Sequence, residues 1–209
     1  MEEIMELTVR KGCAGIIANV VRQIALTQIK SLRPIAIKIN FANVISAGDS
    51  VLEDMIQICS NLNSLHYVNT SGTDFVEFSC NVSNVLKASD LHNTHLDVAL
   101  NKSTNRELMH VLNDNVPVTI YFRYDNGVIS RDDNVFFLEQ NKVDTSDLVV
   151  VNSRHTDIIN FSYTITELDR DNDLINFFVE SGISDEQEFL DDIVTQSINI
   201  IHDILPKFN

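Results

Sequence analysis

The stretch from Gly12 to Leu62 does most to limit what this chain can fold into. It reads GCAGIIANVVRQIALTQIK and then, after a short break, PIAIKINFANVISAGDSVLEDMIQICSNL. A glycine turn opens an apolar helix, predicted over residues 16–30. Ile17, Val20, Val21, Ile24, Leu26 and Ile29 spread well beyond the single stripe of a surface helix, so this helix has to be covered on more than one side. Pro34 is read as the first residue of a strand over 35–40, where proline is tolerated. Ser50 and Glu53 have capping-box spacing, which predicts a second helix carrying Val51, Met55, Ile56, Cys59 and Leu62. These apolar faces exceed what one small module can cover, and they imply a partner surface.

Before Gly12, residues 4–10 alternate as a strand. From Tyr67 to Val151 short strand-like runs dominate: FVEFSCNV, HLDVAL, ELMHVLN, VPVTIYFRY and NVFFLEQ. Asp125-Asn126-Gly127 reads as a tight hairpin turn, because Asn and Gly accept positive φ. Two long strands follow, over 157–168 and 173–180, around a turn at 169–172. A last helix is predicted from Ser184, with Gln187 as its capping partner, and Leu190, Ile193, Val194, Ile198, Ile201 and Leu205 form its apolar face until Pro206 ends it. The fold class expected is α+β with two domains. A strand-and-helix domain over 1–66 plus 156–209 is interrupted by a β-rich insert over 67–155.

With 209 residues, 44% hydrophobic and 22% charged, the chain can bury a real core. No apolar run approaches the roughly 18–20 residues of a membrane span. The formal net charge of −15 repels phosphate backbones, so direct sequence-specific DNA contact is not expected. Cys13, Cys59 and Cys80 are odd in number and lack metal-ligand spacing, which reads as reduced thiols in a reducing compartment and no zinc.

Order and spacing then point to one family. Thr8–Gln23, TVRKGCAGIIANVVRQ, resembles the glycine turn and first helix of the RNA polymerase alpha subunit, whose pattern is roughly G-x-G-x-T-L-G-N-A-L-R-R. Gly12, Ile17, Asn19, Val21 and Arg22 fall on matching positions. Ala14, Ile16, Ala18 and Gln23 depart from it. Asp49 to Leu62 is similar to the family's E-D-x-x-x-I-x-x-N-L segment. Lys87–Leu91 resembles its T-A-x-D-I, and His110–Asn113 its H-x-x-x-L-N region loosely. Asp144–Tyr163 resembles the stretch that returns to the first domain. The chain is thus similar to a divergent alpha N-terminal domain without the C-terminal DNA-binding domain.

The resemblance implies an assembly subunit with no catalytic residue of its own. It would form a homodimer, or a heterodimer with a paralogue, through its terminal helices. That dimer would scaffold the two large catalytic subunits of a DNA-directed RNA polymerase, a nucleotidyltransferase. Val20, Val21, Ile24, Ile198, Ile201 and Leu205 are the interface candidates; periodicity alone leaves each open between protomer core and interface. Arg22 and Asn19 are candidates for large-subunit contact, Arg22 because its planar fork suits carboxylates and carbonyls, while Asn19 also reads as a side chain bonded to nearby backbone. The resemblance together with the Asn/Ile/Asp-rich composition suggests a bacterial-type cytoplasm or plastid stroma, with a viral source also open.

Other chemistry is weaker. The turn at 11–15 lacks both nucleotide-loop glycine patterns. His92 and His95 have no third ligand at suitable spacing. Asp169, Asp171 and Asp173 lack the glycine and closing glutamate of a calcium loop. Neither a cofactor nor a metal is expected. A free-standing dimeric binding module for an unrelated ligand is the alternative, and a small α+β enzyme comes after it.

Overall fold

A computed structural model describes residues 5–39, 51–98, 106–112, 115–183 and 187–204. In chain order its elements are β1 (Met5–Arg10), α1 (Ala14–Thr27), β2 (Ser31–Ile39), α2 (Met55–Asn63), β3 (Tyr67–Asn69), β4 (Phe75–Val82), β5 (Val85–Lys87), β6 (Leu96–Val98), β7 (Glu107–His110), β8 (Val116–Asp125), β9 (Gly127–Ile129), α3 (Arg131–Gln140), β10 (Val149–Val150), β11 (Ser153–His155), β12 (Ile158–Glu167), β13 (Asn172–Ser181) and α4 (Gln187–Ile204). The class is mixed α+β, and the paired strands run antiparallel. Among the described residues no helix is long and apolar enough to cross a membrane. Two compact units emerge, a terminal one of Met1–Ile29 with Thr156–Asn209 and a central one of Lys30–His155.

The terminal unit is a three-stranded sheet, β1-β13-β12, under α1 and α4. Register sets Met5 and Tyr163 opposite Phe177, and Leu7 and Ile165 opposite Ile175. Alternation along the strands therefore gathers these side chains on one face. Phe161 and Phe177 meet edge to face at 5.8 Å. Onto this face α1 turns Ala14, Ala18, Val21 and Ala25, all buried. Three alanines in that row let the helix lie close to the sheet. Ile193 and Val194 of α4 complete the core, and the Ser197 hydroxyl donates back to the Ile193 carbonyl at 2.8 Å. At the β12–β13 turn the Asp169 carboxylate accepts from the backbone N–H groups of Asp171 and Asn172, both at 2.8 Å. Asp173 accepts from the Gly12 N–H at 3.1 Å, and Gly12 sits at φ +85°, where glycine is favoured. Lys11 pairs with Glu167 beside it.

The central unit is built on the order β4-β8-β2-β3-β6, with β10 also on β2. β2 is buried on both faces, with Ser31 and Arg33 buried among its apolar residues. Its register on β8 shifts between Pro34 and Ala36. The bulge explains two things at once. It accommodates a proline inside a strand rather than at the strand's start, where the sequence places it. It also flips the alternation, so that Leu32 before it and Ile37 and Ile39 after it enter the same core with α2, while Ile35 and Ala36 enter the layer under α3.

Four expectations are corrected. The sequence places residues up to 66 in the first domain, yet β2 and α2 pack within the central unit, because both faces of β2 need cover that α2 and α3 supply. NVFFLEQ is helix α3, not a strand; the Ser130 hydroxyl accepts from the Asp133 N–H at 3.2 Å and Asp132 and Asp133 sit in the first turn, both favourable at a helix start. Asp125-Asn126-Gly127 makes no hairpin: β8 pairs with β2 and β4, while β9 pairs with β11. Helix α2 starts at Met55, capped by Asp54, whose carboxylate accepts from the Gln57 N–H at 2.7 Å. Ser50, Ser184 and Leu205 lie outside the described residues.

Candidate functional site

Helix α1 has two faces. Opposite the buried row, Ile16, Asn19, Val20 and Gln23 stand exposed at i, i+3, i+4 and i+7, one continuous strip. Ile16 is 71% exposed and Val20 39%, and beside Gly15 the Ile165 side chain of β12 is 42% exposed. Ile16 and Val20 thus leave apolar surface open on this side of α1.

The interface candidates separate on this frame. Val20 lies in the open strip. Ile24, Ile198 and Ile201 are half-buried, and the latter two pack on the terminal core. Val21 is fully covered within the protomer at 0% exposure and has no surface to offer a second copy; its place in the alanine row explains that. Asn19 is exposed and makes no hydrogen bond among the described residues, so it does not fill the backbone-bonding role considered for it. Arg22 reaches over the edge strand, its Nε donating to the Phe161 carbonyl at 3.1 Å. The guanidinium's first task is thus to tie α1 to β12.

Two further constellations come from the central unit, and neither has a sequence motif. The first is buried. Asn134 Nδ2 donates to the Val151 carbonyl (2.9 Å) and to Ser153 Oγ (3.1 Å). Ser153 Oγ lies 2.8 Å from His155 Nε2, and His155 Nδ1 lies 3.0 Å from the Ser31 carbonyl. A carbonyl only accepts, so Nδ1 carries the hydrogen and Nε2 accepts from the Ser153 hydroxyl. Burial holds the imidazole below its ordinary pKa; the Ser31 bond and Asp125 oppose that, and Arg123 and Arg33 reinforce it. Serine beside histidine suggests a nucleophile, but His155 is 0% and Ser153 3% exposed, so no substrate reaches them. Arg33 donates to the Leu65 carbonyl (2.7 Å) nearby in the fold. Arg123 holds Asp125 with Nε and Nη2 (2.9 and 2.6 Å) and stacks over Phe137 at 4.4 Å.

The second is the clamp of Glu53 on β7. Its carboxylate takes the His110 backbone N–H (2.8 Å) and ring Nδ1 (2.5 Å), and Glu107 lies 3.3 Å from Nε2. The bond to Glu53 raises the His110 pKa. Burial alone raises Glu53, and the bonds from His110 outweigh it, leaving Glu53 lowered. These bonds fix the segment before α2.

A crevice lined by Pro34, Ile37, Cys59, Leu62, Val149 and Val151 has room for little more than one water molecule, far short of a ligand pocket. Among the described residues no three His, Cys, Asp or Glu side chains converge as metal ligands. No family model matches the chain, and no curated protein matches it.

Proposed function

We propose that this chain is a structural assembly subunit of a multisubunit DNA-dependent RNA polymerase, similar to the alpha N-terminal domain, and that it dimerises through α1 and α4. The observation that carries the reading is the two-faced α1: Ala14, Ala18, Val21 and Ala25 cover its own sheet, while Ile16 and Val20 stay open. A two-fold contact uses one patch twice, so a strip that is apolar on one protomer meets the same strip on its partner. At about 25 cal/mol per Å², burying two or three aliphatic side chains from each copy contributes several kcal/mol, of which only the surplus over association cost becomes affinity. The order of the matched segments across the chain supplies the polymerase part of the proposal. Arg22, tied to β12 through Nε, keeps its terminal amino groups for a carboxylate or carbonyl at a subunit junction. The chemistry of nucleotide addition belongs to the large partners.

Sedimentation of the full chain tests the dimer, and native mass spectrometry of the complex isolated from its source cells tests the assembly. Val20→Glu places a carboxylate in the open strip and is expected to shift the chain from dimer to monomer with its circular dichroism unchanged. A wild-type chain that sediments as a monomer, or a native complex without polymerase large subunits, would overturn the reading.

A further inference from the structure

We propose that His155 is a proton-operated lock on the α3–β9–β11 corner of the central unit, closed by the neutral imidazole and opened by its protonation in mild acid. Hydrogen-bond direction sets the lock. In the closed state the linking donors each have an acceptor: Asn134 gives to Ser153, Ser153 to His155, and His155 to the Ser31 carbonyl, while the Ser31 hydroxyl is buried without a partner among the described residues. A second ring proton turns Nε2 from acceptor into donor. Ser153 Oγ would then face two donors, Asn134 and His155, and its own hydrogen would lose the acceptor it has in the closed state. A buried donor without a partner is costly, and a buried charge more so.

The charges around the ring do not rescue it. Arg33 of β2 and Arg123 of β8 both oppose a second positive charge, and they flank the ring together with Ser31 of β2, Asn134 of α3 and Ser153 of its own strand. Asp125 of β8 is the carboxylate that most favours a charged His155, and Arg123 already holds it through two bonds. Protonation is therefore relieved by moving the ring toward water, which means parting β11 from β9 and releasing Asn134. That side of the unit covers Ile35, Tyr121, Leu138, Leu148 and Val150, so opening would bare an apolar layer that is closed at neutral pH. The device is independent of the assembly reading.

Hydrogen exchange of the full chain at pH 7.5 and pH 5.5, corrected for the intrinsic pH dependence of exchange, reads the lock directly. Residues 127–155 are expected to lose at least tenfold in protection at the lower pH, with a much smaller change in 158–181. His155→Gln, which cannot titrate, should abolish that difference, whereas His110→Gln should keep it. Equal protection of 127–155 at both pH values in the wild type would overturn the proposal, as would an unchanged difference in His155→Gln. Should that variant not fold, an imidazole NMR titration of the wild type decides: His155 must protonate over the same pH range in which 127–155 open, and protonation without opening sinks the lock.

Discussion

Glu53 shows how a single side chain can be seen in a sequence and still be given the wrong partner. Three residues after Ser50 it has the spacing of a capping box, but its carboxylate is spent 57 positions away on the backbone and ring of His110. No local pattern encodes a contact at that separation; it exists because the bridge of Val51 to Val111 brings the two segments together. His155 was equally hidden, since its partners come from α3, β2 and β11. The two histidines are wired in opposite senses. The His110 pKa is raised in the folded chain, so its stabilising contribution is full below the unfolded value of about 6.5 and is lost as pH climbs through the folded value. His155 is lowered, so its contribution is full above about 6.5 and is lost as pH falls through the folded value. Glu53, also lowered, loses its share only in stronger acid, below its ordinary range. His110→Gln should therefore remove part of the loss in stability between pH 6.5 and 8.5. Urea midpoints at both pH values check this, and curves for variant and wild type that fall in parallel would refute it.

At the scale of elements, length and capping decided what could be read. The helices α1 and α4 and the β12–β13 pair run for ten residues or more with one period and a clear turn, and their existence was legible. Helix α3 was not, because Val135, Phe136 and Phe137 favour strands and the helix spans ten residues. What tips it is the start: Ser130 and Asp133 bond reciprocally, the serine hydroxyl donating to the aspartate side chain at 2.7 Å and accepting its backbone N–H. Ser130→Ala should cost about 1 kcal/mol of unfolding free energy in denaturant melts, and Ser130→Asp, which still caps, should recover most of it. Equal stability of Ser130→Ala and wild type would mean that packing of Leu138 and Phe137 alone selects the helix. The bulge in β2 was illegible for another reason. Pro34 is compatible with the first residue of a strand and with a bulge, and only the pairing with β8 decides between them.

For the molecule as a whole, the telling fact is that one core is assembled from the two ends of the chain. Met5, Leu7, Ala14, Ala18 and Val21 come from the first 29 residues, and Phe161, Ile175, Phe177, Ile193 and Val194 from beyond residue 155. Neither set has a closed apolar cluster without the other: among the described residues β1 pairs along β13, and α1 covers β12 and β13. Phe177 sits at the centre, with 0% exposure, opposite Met5 on one strand and Tyr163 on the other. Phe177→Ala should cost about 3–5 kcal/mol, through the lost burial and the cavity left behind. Because the core is shared, hydrogen exchange should show protection falling together in residues 5–27 and 158–201, although more than 125 positions separate the two stretches. A loss confined to β12 and β13, with α1 as protected as before, would show that the helix holds its place without this core. That outcome would also undercut the platform, because a two-faced α1 can present Ile16 and Val20 in a fixed plane only if its alanine face is anchored on Phe177 and its neighbours.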